Sequence, residues 1–318
     1  MTAPFRGLLL TMAPLAVCCW VGCGDSAGSD PGSDGGADAR VDDSGGPDAT
    51  TPAPDRPVFE VDRITTAGAD AQIALTQPGP TVDLVAFTGT ELWHMEVGSG
   101  TAEADLTLTE PLSSADPPPS AVRASDGSIH VVWEAGGGVR YATNADGVWE
   151  ESEVSSSGRR PSIALDAGDV PHVAFIRLAD EATVARLDGD AWTREVVGSA
   201  PGGRGLPWTA IAADGERLYL TGRGDGAFWL RVNEGAGWVD DSIDVGDVIF
   251  MDRSGEETFA AGSGGILLTF YSNGRYAAFR PSGASEFQTR TLGAMYELSL
   301  DAPVATAVGE DEAFIAAQ

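Results

Sequence analysis

The chain is expected to fold as an all-β protein, a six-bladed β-propeller, and three observations predict it. A unit of four short apolar runs returns every 42 to 49 residues from about residue 70 onward. A turn rich in Asp, Ser and Gly separates the first two runs of most units. An aromatic residue leads the fourth run, at Trp149, Trp192, Trp238 and Phe287, with spacings of 43, 46 and 49 residues. Runs of this length with alternating or continuous apolar character are half-buried or central strands. Four such strands form one small sheet, and a sheet repeated at this period is a propeller blade that buries its faces against its neighbours. Two sandwiches would not keep one unit at a steady period.

The elements follow in order. First strands are read at AQIALTQ (71–77), PSAVRAS (119–125), PSIALDA (161–167), WTAIAAD (208–214), VIFMDRS (248–254) and PVATAVG (303–309). Second strands are read at VDLVAF (82–87), IHVVWE (129–134), PHVAFI (171–176), RLYLTG (217–222), ETFAAG (257–262) and EAFIAA (312–317). Asp126-Gly127, Gly168-Asp169, Asp214-Gly215 and Ser254-Gly255 supply the turns, because these residues tolerate the positive φ of tight hairpins. The first unit has LTLT (106–109) as its fourth strand, without the leading aromatic. The isolated run PVFEVDRIT (57–65) is expected to complete the last blade and close the ring, which would remove an exposed sheet edge.

Three regions are expected along the chain. Residues 1–23 carry Arg6 and then the apolar stretch LLLTMAPLAVCCWVGC (8–23), too short and interrupted for a membrane span. The stretch resembles a bacterial lipoprotein signal, with Gly22 as the small residue before a lipidated Cys23. That resemblance implies an acyl-anchored protein of the bacterial cell envelope. Gly24 after the cysteine leans towards the outer membrane, with the domain facing periplasm or cell surface. Residues 24–56 hold no aromatic residue and one large aliphatic, Val41. Such a segment buries too little apolar surface to offset its ordering entropy and is expected to be a disordered tether. Residues 57–318 form the propeller.

Composition narrows the partners. Net charge is −29, with 19 Lys plus Arg against 48 Asp plus Glu, and all 19 are Arg. This field repels nucleic acid and anionic headgroups, so no nucleic acid is expected, and membrane contact only through the anchor. Cys18, Cys19 and Cys23 are the three cysteines, so the propeller has no disulfide, thiolate metal site or Cys nucleophile. No cofactor or metal is expected, and a monomer is.

The turns TNADGVW (143–149), RLDGDAW (186–192) and VNEGAGW (232–238) resemble a degenerate Asp-box, the turn between third and fourth strands of sialidase-like propellers with BNR repeats. The resemblance implies a structural turn, with Asp146 or Asp188 bonding backbone amides and the Trp packing between blades. The residues that a sialidase would need are not assembled here. Single arginines stand in or near strands at Arg123, Arg177, Arg253 and Arg290, and Tyr296 has only Glu297 beside it. His130 and His172 start second strands 42 residues apart, a register expected to bond a neighbouring blade's backbone. His94 stands beside Trp93 in a third strand without a counterpart. Gly262-Ser263-Gly264-Gly265 runs into a strand pattern rather than a helix, which excludes a phosphate loop. Arg223-Gly224-Asp225 is read as a chance product of a Gly-rich turn.

The expected role is therefore a non-catalytic binding or interaction module with a protein or glycan partner on one propeller face. A glycoside-active hydrolase and a purely structural envelope protein are the alternatives. Positive and aromatic groups are scarce on this acidic body, so Arg159, Arg160, Arg204 and Trp208 are ligand-contact candidates. Trp133 and Trp229 join them because, as with Trp208, strand ends on a propeller face lie near the channel mouth, where aromatics can stack on sugars or flat ligands. Replacing Arg204 and Trp208 together is expected to abolish binding without lowering the melting temperature.

Overall fold

The computed structural model describes residues 72–75, 83–87, 89–96, 103–110, 119–177, 180–199, 208–224, 227–241, 258–271, 275–291, 304–308 and 313–317. The signal segment with Cys23, the tether, the closing run 57–65, Arg204 and the run 248–254 lie outside the described residues.

Among the described residues strand follows strand. The first blade comprises β1 (Gln72–Leu75), β2 (Asp83–Phe87), β3 (Glu91–Glu96) and β4 (Glu103–Thr107). The second comprises β5 (Ser120–Arg123), β6 (Ile129–Ala135), β7 (Gly138–Thr143) and β8 (Glu150–Ser155). The third runs through β9 (Arg159–Leu165), β10 (Pro171–Ile176), β11 (Glu181–Asp188) and β12 (Ala191–Ser199). The fourth has β13 (Trp208–Asp214), β14 (Arg217–Gly224), β15 (Ala227–Asn233) and β16 (Trp238–Asp241). The fifth has β17 (Thr258–Gly262), β18 (Gly265–Tyr271), β19 (Arg275–Pro281) and β20 (Gln288–Thr291). A sixth sheet contains β21 (Val304–Val308) and β22 (Ala313–Ala317) among the described residues. Within each sheet the strands pair antiparallel in chain order. The first strands touch in succession, β1 to β5, β9, β13, β17 and β21. Sheets ranked side by side about their first strands are the blades of a propeller.

The fifth blade corrects the sequence reading. ETFAAG supplies its first strand, not its second: β17 lies at the sheet edge and packs against β13 and β21. GILLTFY is the second strand. The cause is the Ser263-Gly264 turn, which folds ETFAAG straight back onto the next run. Gly265 has φ +140°, and a Cβ there would come within 2.1 Å of the Arg280 carbonyl oxygen. Apolar runs alone do not tell which of two hairpins that glycine closes.

The core lies between the blades. Val131, Trp133 and Ala135 of β6 join Val85, Phe87 and Leu92 of the first blade, whereas Val132 joins Val173 and Phe175 of the third. Alternate side chains of one strand thus feed two different seams, which is why the runs are continuously apolar rather than alternating. Trp149, Trp192, Trp238 and Phe287 pack into successive seams, as the repeat implies.

Polar groups clasp the same seams. Ser120 Oγ accepts from the Ile163 amide at 3.3 Å and Ser162 Oγ from the Ile211 amide at 3.2 Å, each one blade onward. Arg140 pairs with Glu110 at 2.8 Å, Arg194 Nε donates to the Val154 carbonyl at 2.8 Å, and Arg280 pairs with Asp241 at 2.5 Å. Much of the chain's limited arginine is therefore spent between blades.

In the turns between third and fourth strands the amide acceptor is asparagine. Asn144 Oδ1 accepts from the Ile129 amide at 2.7 Å and Asn233 Oδ1 from the Gly235 amide at 2.8 Å. Asp146 and Asp188 are exposed instead. An Asx side chain closes this turn from two residues before the glycine, a place Asn233 holds and Asp146 and Asp188 do not.

Candidate functional site

Propeller geometry divides the turns between two ends. Turns joining strands one to two and three to four share one end, here the hairpin face. Turns joining strands two to three, and the blade-to-blade connections, share the other, the connection face. Arg159 and Arg160 open β9 and therefore stand on the connection face.

There they meet two acids that sequence reasoning missed. Arg159 pairs with Asp180 at 2.8 Å, and the Arg160 amide donates to Glu134 Oε2 at 2.9 Å. The four residues span the seam between the second and third blades. The backbone is unusual at two of them. Arg160 has φ +53° and Asp180 φ +60°, and the one other described non-glycine with positive φ is Asp169, in a hairpin-face turn. Such conformations cost about 1–3 kcal/mol each and persist where the surroundings hold them. The surroundings here are specific. Gly158 presses onto Phe175, where a Cβ would come within 2.6 Å of the ring. The register between β9 and β10 shifts between Ala174 and Ile176, opposite Arg159. A bulge of this kind re-aims the side chains beside it.

The tryptophans do not join this cluster. Trp133 is 0 % exposed, tilted against Phe87 at 5.4 Å in the seam of the first two blades. Trp208 is 8 % exposed and meets Phe228 edge-on at 6.2 Å. Trp229 lies over Gly222 and packs into the seam of the third and fourth blades. Strand-end position suggested channel-mouth aromatics, but period-two burial on both strand faces turns these rings into the seams. Replacing Trp208 therefore removes core packing and lowers the melting temperature, contrary to the sequence expectation.

The histidines also bond within their own blades rather than to a neighbour. His130 Nδ1 lies 2.5 Å from the Tyr141 hydroxyl and its Nε2 3.2 Å from Ser128 Oγ. His172 Nε2 lies 3.0 Å from Asp166 Oδ2. Each side chain faces the adjacent strand or the turn that precedes it. The Ser128–His130 contact has the atoms of a nucleophile and base, but not the chemistry. Burial pushes His130 down to about 4 and Tyr141 up to about 12. So low a base takes a serine proton poorly, and a neutral phenol does not stabilise the imidazolium. Burial also lowers His172, against the opposing pull of Asp166. Among the described residues no three His, Cys, Asp or Glu side chains converge as a metal site.

This burial has a pH consequence. The unfolded chain protonates His130 near pH 6.5, whereas the folded chain resists until about 4. The unfolded state therefore binds more protons in that window, and stability falls as pH drops from about 6.5 towards 4. His130→Gln should flatten this part of the curve of unfolding free energy against pH. Equal slopes for the two proteins in urea titrations would refute the assignment.

The arrangement of blades and the polar rim define a β-propeller with a mixed-charge cluster on one face. No protein-family model matches the chain, and no curated protein matches it in sequence. Solved structures do match in shape. The SapL1 lectin in complex with alpha methyl fucoside superposes with a TM-score of 0.54 at 14% identity, covering 75% of this chain and 85% of that one. The six-bladed fungal lectin of Aleuria aurantia gives 0.51 at 12% identity over 70% of this chain and 78% of its own. Virginiamycin B lyase from Staphylococcus aureus gives 0.53 at 10% identity over 80% and 81%. At these identities the likeness is one of fold, and binding proteins and a lyase share it, so function rests on the site.

Proposed function

We propose that the protein is a non-catalytic, carbohydrate-binding propeller that takes its ligand at the connection-face rim between the second and third blades. The observation that carries this reading is the cluster of Glu134, Arg159, Arg160 and Asp180 on a strained backbone. A guanidinium carries five donors in a plane and a carboxylate about four acceptor sites. A single Arg–carboxylate contact leaves both groups capacity for the vicinal hydroxyls of a sugar. The fucoside-binding lectins of the same fold support the choice of ligand class. We further propose that the protein is held in the bacterial envelope through lipidated Cys23, which follows the apolar stretch and Gly22.

One preparation tests both statements. The full chain should be recovered from membranes by detergent, and recovery in the soluble fraction would overturn the anchor. On a glycan array, with and without calcium, it should bind selectively. Arg159→Ala combined with Glu134→Gln should weaken that binding roughly tenfold or more, about 1.4 kcal/mol, with little change in melting temperature. Unchanged binding by the double variant sinks the site. A blank array sinks the ligand class, and crosslinking for a protein partner on intact cells would follow.

A further inference from the structure

We infer that the rim selects neutral saccharides and that Asp180 is the residue that excludes carboxylated ones; this rests on the carbohydrate reading above. Two rim cations reach solvent and each is held by a carboxylate: Arg159, 41% exposed, by Asp180, itself 37% exposed, and Arg177, 38% exposed, by Glu181 at 3.8 Å in the same turn as Asp180. Glu134, from the second blade, accepts from the Arg160 amide next to Arg159. The Arg159–Asp180 and Arg177–Glu181 pairs are each neutral, in a chain of net charge −29.

A sugar hydroxyl enters this arrangement without displacing anything. It donates to a carboxylate and accepts from a guanidinium, and neither interaction requires the Arg159–Asp180 pair to open. A sialic or uronic carboxylate competes for the same guanidinium. A pair with Arg159 sets that carboxylate a few ångströms from Asp180, which holds the same guanidinium and repels it as a like charge. Glu134 adds a second negative charge at the same rim. Distant acids are largely screened beyond about 8 Å at physiological salt, so the discrimination belongs to the rim carboxylates Asp180, Glu134 and Glu181 rather than to the whole protein.

The backbone at Asp180 supplies a clean probe. Its φ of +60° is left-handed, a conformation that Asn tolerates as readily as Asp. Asp180→Asn therefore removes the charge while keeping the shape and the conformation. The experiment compares the full chain with Asp180→Asn on an array that pairs each neutral oligosaccharide with its sialylated and uronic-acid counterparts. It is run at about 0.15 M salt, with melting curves to show that both proteins fold. The unmodified protein should favour the neutral member of each pair by roughly tenfold or more, and Asp180→Asn should shrink that ratio by a similar factor. Equal or better binding of carboxylated sugars by the unmodified protein overturns the inference and leaves the carbohydrate reading standing. So does a ratio unmoved by Asp180→Asn. Absence of binding to every glycan, by both proteins, overturns the carbohydrate reading and this inference with it.

Discussion

Trp133→Ala is expected to lower the unfolding free energy by about 4 kcal/mol, within the range for losing a buried aromatic side chain. Trp133 is fully buried, and its ring fills the seam between the first two blades against Phe87, Leu92 and Val131. The flanking backbone is locked in two four-stranded sheets, so the seam has little freedom to collapse into the space. For a domain of this size each kcal/mol moves the melting temperature by about 2–4 °C, so a fall on the order of 10 °C should follow. The indole nitrogen is buried without a hydrogen-bond partner. Trp133→Phe should consequently be far milder, because no hydrogen bond is lost and much of the ring remains. Thermal and urea unfolding of the two variants check this. If Trp133→Ala kept its stability and lost glycan binding, the residue would belong to the ligand site, as its strand-end position first implied.

Asp83→Ala should cost about 3 kcal/mol, the lower end for breaking a buried ion pair. Asp83 is 1% exposed and pairs across the first seam with Arg123, which is 20% exposed. His94 Nε2 lies 2.9 Å from the same carboxylate, and its Nδ1 is 3.8 Å from Asp105. Removing Asp83 leaves a largely buried guanidinium facing a histidine with no carboxylate between them. The cost therefore measures a stranded charge more than the worth of the pair. Arg123→Ala relieves that stranding, so the double variant should be less destabilised than the sum of the singles, with a coupling on the order of 1–3 kcal/mol. Simple additivity in urea melts would show that solvent screens the pair and would remove it as a clasp.

These two residues mark how far the sequence could be read. Trp133 is plainly a strand residue in IHVVWE, and its apolar neighbours place the strand inside the sheet. Which face of the strand it occupies is equally plain from period two. Which blade that face meets is not, because both faces of an inner strand are buried. Asp83 is the second residue of VDLVAF, an ordinary polar residue near a strand start, and nothing local ties it to Arg123, 40 residues on. Arg159 and Arg160 stood out because cations are scarce in this chain. Their partners Asp180 and Glu134 are 21 and 26 residues away and were indistinguishable among 48 acidic residues.

The sequence by itself determined the strands of the first four blades, their grouping in fours, the hairpin turns and the aromatics that lead the fourth strands of the second to fifth blades. These depend on side-chain alternation, turn conformation and a repeat of fixed length, all of which act over a few residues or one blade. The tertiary structure decided which hairpin the Gly265 turn closes, which rings are core, and which charges meet at the rim. Those outcomes depend on stacking one blade against the next, which joins residues through space at separations that no local pattern encodes.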